Sequence, residues 1–165
     1  MNSFTLPGHY FFGYGSLRVL KDLCRDSVLL ITDKPVMERL GHLETLLSIL
    51  KEGGKSCSGI ISIESEPSFE HLKSAVLESR AVKPDTIAAL GGGAVMDTAK
   101  ALRYLLENGK VSPEEFFEKG ISEGKGEGSD SKGAFLVAIP TTAGTGSEVT
   151  RSEERRVGKE CRSRW

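Results

Sequence analysis

Short apolar runs alternate along the chain with segments whose apolar residues recur every three or four positions. Ser27–Thr32 (SVLLIT) is a continuous apolar run of the length of a buried parallel strand. Asp33-Lys34-Pro35 ends it and opens a helix, since proline fits a first helical turn where its missing N–H has no partner to lose. Over residues 43–52 the apolar positions 43, 46, 47 and 50 form one helical face, and Gly53-Gly54 stops it. Residues 57–63 read as a second strand. Residues 68–80 read as a helix with Phe69, Leu72, Val76 and Leu77 facing inward. Residues 86–90 form a third apolar run, followed directly by three glycines. Residues 95–106 are a predicted helix with Val95, Ala99, Leu102 and Leu106 on one stripe. Residues 135–139 give a further strand, ended by Pro140. Repeated strand-then-helix order predicts an α/β fold, a parallel sheet covered by helices. No internal repeat is visible, and residues 119–133, with five glycines among Ser, Lys and Glu, read as a solvated connection or a lid.

The pattern breaks after Thr150. Residues 151–165 hold six basic and three acidic residues, follow no helical or strand period, and end on the chain's single tryptophan. They resemble translated sequencing-adapter read-through; a basic interaction arm is the alternative. Without them the formal charge moves from −1 to −4, from 16 basic and 20 acidic residues, so the rest of the chain is mildly acidic. That balance gives no electrostatic sign of a nucleic-acid or membrane-surface partner, and none is expected. No apolar run approaches the roughly 20 residues that span a bilayer. The first ten residues lack the basic and then apolar pattern of a secretory signal. Cys24, Cys57 and Cys161 are odd in number and widely spaced, which argues against a disulfide framework or a zinc knuckle and for a reducing cytoplasm.

Two segments carry candidate chemistry. In DTIAALGGGAVMDTAK (85–100) a buried strand runs into Gly91-Gly92-Gly93 and then a helix. Ligands of open α/β sheets sit at the carboxyl ends of strands. Glycines there let the backbone approach a phosphate and adopt angles closed to other residues, and the new helix offers free N–H groups and the positive end of its dipole. The spacing is neither G-x-G-x-x-G nor a P-loop, and a tight strand-to-helix turn is the plainer alternative. Asp97 falls in the first turn, as favourable helix-terminal charge or as a polar group in the cleft. In FLVAIPTTAGTGSEVT (135–150) a strand ends at proline, and Thr141, Thr142, Gly144, Thr145 and Gly146 crowd together. Small hydroxyls after a strand suit a cleft that hydrogen-bonds a ligand; an ordinary polar turn is the alternative.

GGGAVMDTAK and IPTTAGTGSEVT, in this order and about 40 residues apart, resemble the motif pair of the iron-containing (group III) alcohol dehydrogenases, GGGSxxDxAK and PTTxGTGSExT. FGYGSL (12–17) resembles that family's early glycine turn, and ITDK (31–34) its second-strand motif. The resemblance covers residues 1–150, the family's N-terminal half. It implies a Rossmann-like, incomplete dinucleotide-binding domain over 1–150; residues 151–165 are expected to be a non-native tail from their composition. Position by position, it implies that Gly92, Gly93 and Ala94 hold a pyrophosphate through main-chain N–H groups. Ala94 stands where serine is common. Asp97 matches an aspartate of the cofactor cleft, and Thr141, Thr142 and Thr145 would contact the adenine and nicotinamide-side portions. Asp33 ends a strand where a carboxylate accepts from a ribose 2′-OH and repels a 2′-phosphate, which favours NAD over NADP; a helix cap before Pro35 is the alternative. Glu66 stands where the family often has asparagine.

The resemblance also implies a divalent metal, Fe2+ or Zn2+, bound by an aspartate and three histidines in an all-helical C-terminal domain. His9, His42 and His71 are scattered and match none of those ligand motifs, so no metal ligand and no catalytic residue are assigned in this chain. The implied activity is NAD-dependent oxidation of a small alcohol to an aldehyde or ketone, and the reverse, by a full-length enzyme that could be a homo-oligomer. A glycerol dehydrogenase or dehydroquinate synthase relative, and a nucleotide-binding module without catalysis, are the alternatives.

Overall fold

Two of the apolar runs, 27–32 and 86–90, form the two central strands of one sheet. The computed structural model describes residues 9–64, 69–109, 111–119 and 133–147. A 3-10 turn (Ser16–Val19) and helix α1 (Leu20–Leu23) precede strand β1 (Ser27–Thr32), helices α2 (Lys34–Arg39) and α3 (His42–Glu52) and strand β2 (Ser56–Ser62). Helix α4 (Phe69–Val82), strand β3 (Thr86–Gly91), helices α5 (Gly93–Glu107) and α6 (Pro113–Lys119) and strand β4 (Phe135–Pro140) follow. The sheet order is β2-β1-β3-β4 and every pair is parallel.

All six residues of β3 and the last five of β1 are buried. Side chains alternate across a strand, and both faces are covered. Leu29, Ile31, Ile87 and Ala89 pack with Leu72 and Val76 of α4 and with Val95, Ala99 and Leu102 of α5. Val28, Leu30, Ala88 and Leu90 pack with Leu20, Met37 and the α3 residues Leu43, Leu46 and Leu50. A strand covered on both faces has no solvent side on which to place polar residues, which is why these read as unbroken apolar runs.

Two expectations change, and one helix goes unread in the sequence. Leu77, expected inside, is 62% exposed. The buried stripe of α4 is Leu72, Ala75, Val76 and Ser79, a three-four spacing that turns position 77 toward solvent. On α5 Leu105, not Leu106, is fully buried, because the stripe through 95, 98 and 102 continues to 105. Helix α6 is absent from the hydrophobic pattern, although its start is written in the sequence. Ser112 Oγ accepts from the Glu115 N–H (3.1 Å) and Glu115 Oε2 accepts from the Ser112 N–H (3.3 Å), a capping box, with Pro113 at the first helical position. The segment carries too few apolar residues to show a period. Phe116 docks it on Tyr104, with ring centroids 5.8 Å apart.

The glycine-rich connection beyond residue 119, Glu66, and the tail 151–165 lie outside the described residues.

Candidate functional site

From β1 the chain moves outward to β2 through α2 and α3, and from β3 outward to β4 on the other side through α5 and α6. The direction of winding therefore reverses between β1 and β3. At such a switch point neighbouring loops part and leave a crevice at the carboxyl edge of the sheet. Asp33, Gly92 and Thr141 each follow the last residue of one of three adjacent strands, so the topology brings the separate candidate segments to one edge.

Two hydrogen bonds tie that edge together. Thr32 Oγ1, wholly buried, donates to the Leu90 carbonyl across β1 and β3 at 2.7 Å. The Thr141 N–H donates to the Gly91 carbonyl at 3.0 Å, which carries the β3–β4 ladder past Pro140 into the threonine loop. In the sequence Thr32 is legible only as a strand residue. Replacing it with valine keeps the shape and strands the buried Leu90 carbonyl, a loss of about 1–3 kcal/mol. Urea unfolding of Thr32→Val checks this; an unchanged midpoint would show that the carbonyl is satisfied elsewhere.

The glycine turn is tighter than a three-residue loop. Gly91 still belongs to β3 and Gly93 already belongs to α5, which leaves Gly92 alone between them. The expectation that these glycines adopt angles closed to other residues does not hold, since none of the three has a positive φ and Gly92 lies at φ −84°, ψ −168°. Space is what they provide. A Cβ on Gly91 would come 2.7 Å from Val95 Cγ2, and one on Gly92 would come 3.2 Å from Thr142 Oγ1. A Cβ on Gly93 would lie 3.2 Å from Ser147 Oγ and 3.7 Å from Thr145. The two motifs thus form one continuous surface. Left-handed backbone is needed in the second motif instead, at Gly144 (φ 83°) and Gly146 (φ 64°).

The N-terminus of α5 is open to an anion. The first intrahelical bond described runs from the Met96 N–H to the Gly92 carbonyl, so the N–H groups of Gly93, Ala94 and Val95 have no acceptor within the helix. The N-cap residue, Gly92, supplies no side-chain cap, and no acidic residue lies in the first turn. Asp97, expected in that turn, is the fifth helical residue; the helix begins two residues before the predicted start. A carboxylate among the first N–H groups would compete with a phosphate, and its position one turn down avoids that. Asp97 is exposed and pairs with Lys100 Nζ at 3.3 Å.

Asp33 realises the cap described as the alternative: Oδ1 accepts from the Val36 N–H of α2 at 3.3 Å. It stands one register step beyond the Thr32–Leu90 pair, beside the glycine turn. Thr141, Thr142 and Thr145 are exposed at the same edge, whereas Ser147 is buried beneath Gly93. Ser147 and Lys100 belong to the quoted motifs without standing out in them, because neither spacing nor residue type separates a packed hydroxyl or a shielded ammonium from an ordinary turn or surface residue.

Other features do not join the site. Burial pushes the Cys24 thiol up, away from the thiolate form a nucleophile needs. A cavity of about 600 Å³, lined by Arg80, Lys83, Pro84 and Glu107 among others, opens at the amino ends of β3 and β4, the edge opposite the loops. Among the described residues no group of three or more His, Cys, Asp or Glu gathers into a metal-ligating cluster.

The profile of the family described as iron-containing alcohol dehydrogenase matches residues 7–153. The chain is 36% identical over 150 residues to the NADPH-dependent butanol dehydrogenase of Clostridium saccharobutylicum, covering 91% of this chain and 37% of that protein. The solved iron-containing alcohol dehydrogenase from Thermococcus thioreducens superposes with a TM-score of 0.73 at 30% identity, covering 90% of this chain and 39% of that one. Sulfoacetaldehyde reductase from Bifidobacterium kashiwanohense, solved in complex with NAD+, gives 0.69 at 25% identity, covering 91% and 38%. The chain therefore spans about two-fifths of the length of these relatives.

Proposed function

This chain belongs to the iron-containing alcohol dehydrogenase family, and on that premise we propose that residues 1–150 bind NAD as the cofactor part of an enzyme interconverting a small alcohol with its aldehyde or ketone. The observation that carries the proposal is the contact between the glycine turn and the threonine loop at the switch point of the sheet. In this proposal the N–H groups of Gly92, Gly93 and Ala94 hold the pyrophosphate, whose charge lies on the positive end of the α5 dipole. Thr141, Thr142 and Thr145 contact the adenine and nicotinamide-side portions, and Asp97 faces the cleft from the second turn of α5. Bound there, the nicotinamide would supply the hydride acceptor for alcohol oxidation.

The described residues offer no donor set for a divalent metal, so no step is assigned to one here. The Fe2+ or Zn2+ of the family belongs, in this proposal, to residues outside 1–150, and the tail 151–165 is set apart as non-native. A cytoplasmic location is part of the same proposal. No helix among the described residues is long and apolar enough to cross a membrane.

Similar proteins include one named for NADPH and one solved with NAD+, so the preference for NAD rests on Asp33. A carboxylate has two oxygens and about four lone-pair directions, so capping α2 through Oδ1 leaves acceptor capacity for a ribose hydroxyl. Asp33→Ser keeps a capping side chain and removes the charge. It is expected to shift the ratio of NADPH to NADH affinity toward NADPH by at least about fivefold, from the ~1 kcal/mol repulsion of two charges 4 Å apart in water. Titration of both nucleotides measures this; an unchanged ratio would remove Asp33 from the discrimination.

A further inference from the structure

We infer that Lys100 is a positioning residue whose ammonium holds the Asp97 carboxylate at the rim of the nucleotide cleft; this rests on the cofactor reading above. The two side chains meet at 3.3 Å with unequal surroundings, Lys100 being 11% exposed and Asp97 52%. The pairs Lys34–Glu38 and Lys73–Glu114 are about half exposed on both sides, the kind of contact that contributes little order. Lys55–Asp26 shares the asymmetry but lies at the amino ends of β1 and β2, away from the loops. Lys100 alone among these places a shielded ammonium one turn from the anion-binding end of a helix.

Helix geometry gives that placement a direction. Side chains tilt toward the helix N-terminus, so the Lys100 stem runs back over the preceding turn, toward Asp97 and the glycine turn. The side chain as a whole, stem and head, is largely covered by protein. An ammonium largely removed from water favours a carboxylate partner more strongly than a solvated one does, and Asp97 is thereby held in one orientation. The pairing also offsets the negative charge that Asp97 would otherwise present to a pyrophosphate. Without Lys100, Asp97 would be both free to rotate and uncompensated.

The test is a double-mutant cycle on the full chain, read by NADH fluorescence titration, with thermal unfolding followed in parallel. Lys100→Met is expected to weaken NADH binding about tenfold, and Lys100→Arg to stay within about twofold of wild type because charge and reach are kept. In an Asp97→Asn background the Lys100→Met change is expected to have less than about a twofold further effect, since the group it orients is gone. Equal losses in both backgrounds would overturn the inference, showing that Lys100 acts on the cofactor directly or through the fold. Should Lys100→Met not fold, Lys100→Gln takes its place in the same cycle. Wild-type affinity in a folded Lys100→Met would overturn the inference alone; no NADH binding by folded wild type would overturn the cofactor proposal and this inference with it.

Discussion

Gly93→Val is expected to weaken NADH binding by about tenfold to a hundredfold while the chain stays folded. Gly93 is the first residue of α5, its φ is not positive, and a valine there meets no backbone requirement it cannot satisfy. What it meets is space already in use: its Cβ would stand 3.2 Å from Ser147 Oγ and 3.7 Å from Thr145. The branched methyls would occupy the groove between the two loops and keep a pyrophosphate off the helix N–H groups. Loss of one or two hydrogen bonds to a charged group, at about 1.5–3 kcal/mol each, gives that range at its lower end. Gly93→Ala adds only the Cβ and is expected to fall between the two. Gly109, with nothing within 4 Å of an added Cβ, serves as the control, and Gly109→Ala should bind as wild type does. NADH affinity of Gly93→Val equal to wild type would show that the phosphate does not sit on this turn.

The second large effect is an absence of turnover. Purified chain supplied with NAD, a primary alcohol and Fe2+ or Zn2+ is expected to form NADH at the background rate. Among the described residues no donor cluster can hold the metal, and the chain spans about two-fifths of the relatives it matches. A metal polarising the alcohol oxygen stabilises charge by several kcal/mol, and each 1.36 kcal/mol of barrier is tenfold in rate. Cofactor binding alone cannot replace it. Alcohol-dependent NADH formation that a chelator abolishes would place metal ligands in this chain and overturn the assignment.

The elements the sequence discloses best are those whose burial is simplest. β1 and β3 are covered on both faces, so their composition alone marks them, and the apolar run 27–32 coincides with β1 at both ends. Helix interiors are legible and their faces less so. On α4 the change from the buried Val76 to the exposed Leu77 takes one residue, about 100° of rotation, and two adjacent apolar residues do not say which of them faces in. Helix α6 shows the opposite failure, a start encoded by local hydrogen bonding at Ser112 and Glu115 with no hydrophobic period behind it.

The site is legible as two motifs and not as one surface. Nothing in the spacing of Gly92 and Thr142, or of Gly93 and Ser147, states that they touch; β3–β4 pairing in register brings them together. The role of the glycines is misread from sequence for a related reason. Residue type allows unusual angles and close approach alike, and only the backbone at Gly92 decides for the second. Asp97 moves from the first to the second turn because Gly93 joins the helix, a boundary that propensity places late since glycine is a poor helix former.

The central claim, that this edge of the sheet is a nicotinamide dinucleotide site, is tested most directly by titrating the folded chain with NADH and following nucleotide fluorescence, with ADP-ribose as competitor. Saturable binding, displaced by ADP-ribose and tighter for NADH than for NADPH, is the predicted result. A folded chain that shows no saturable binding of either nucleotide would contradict it.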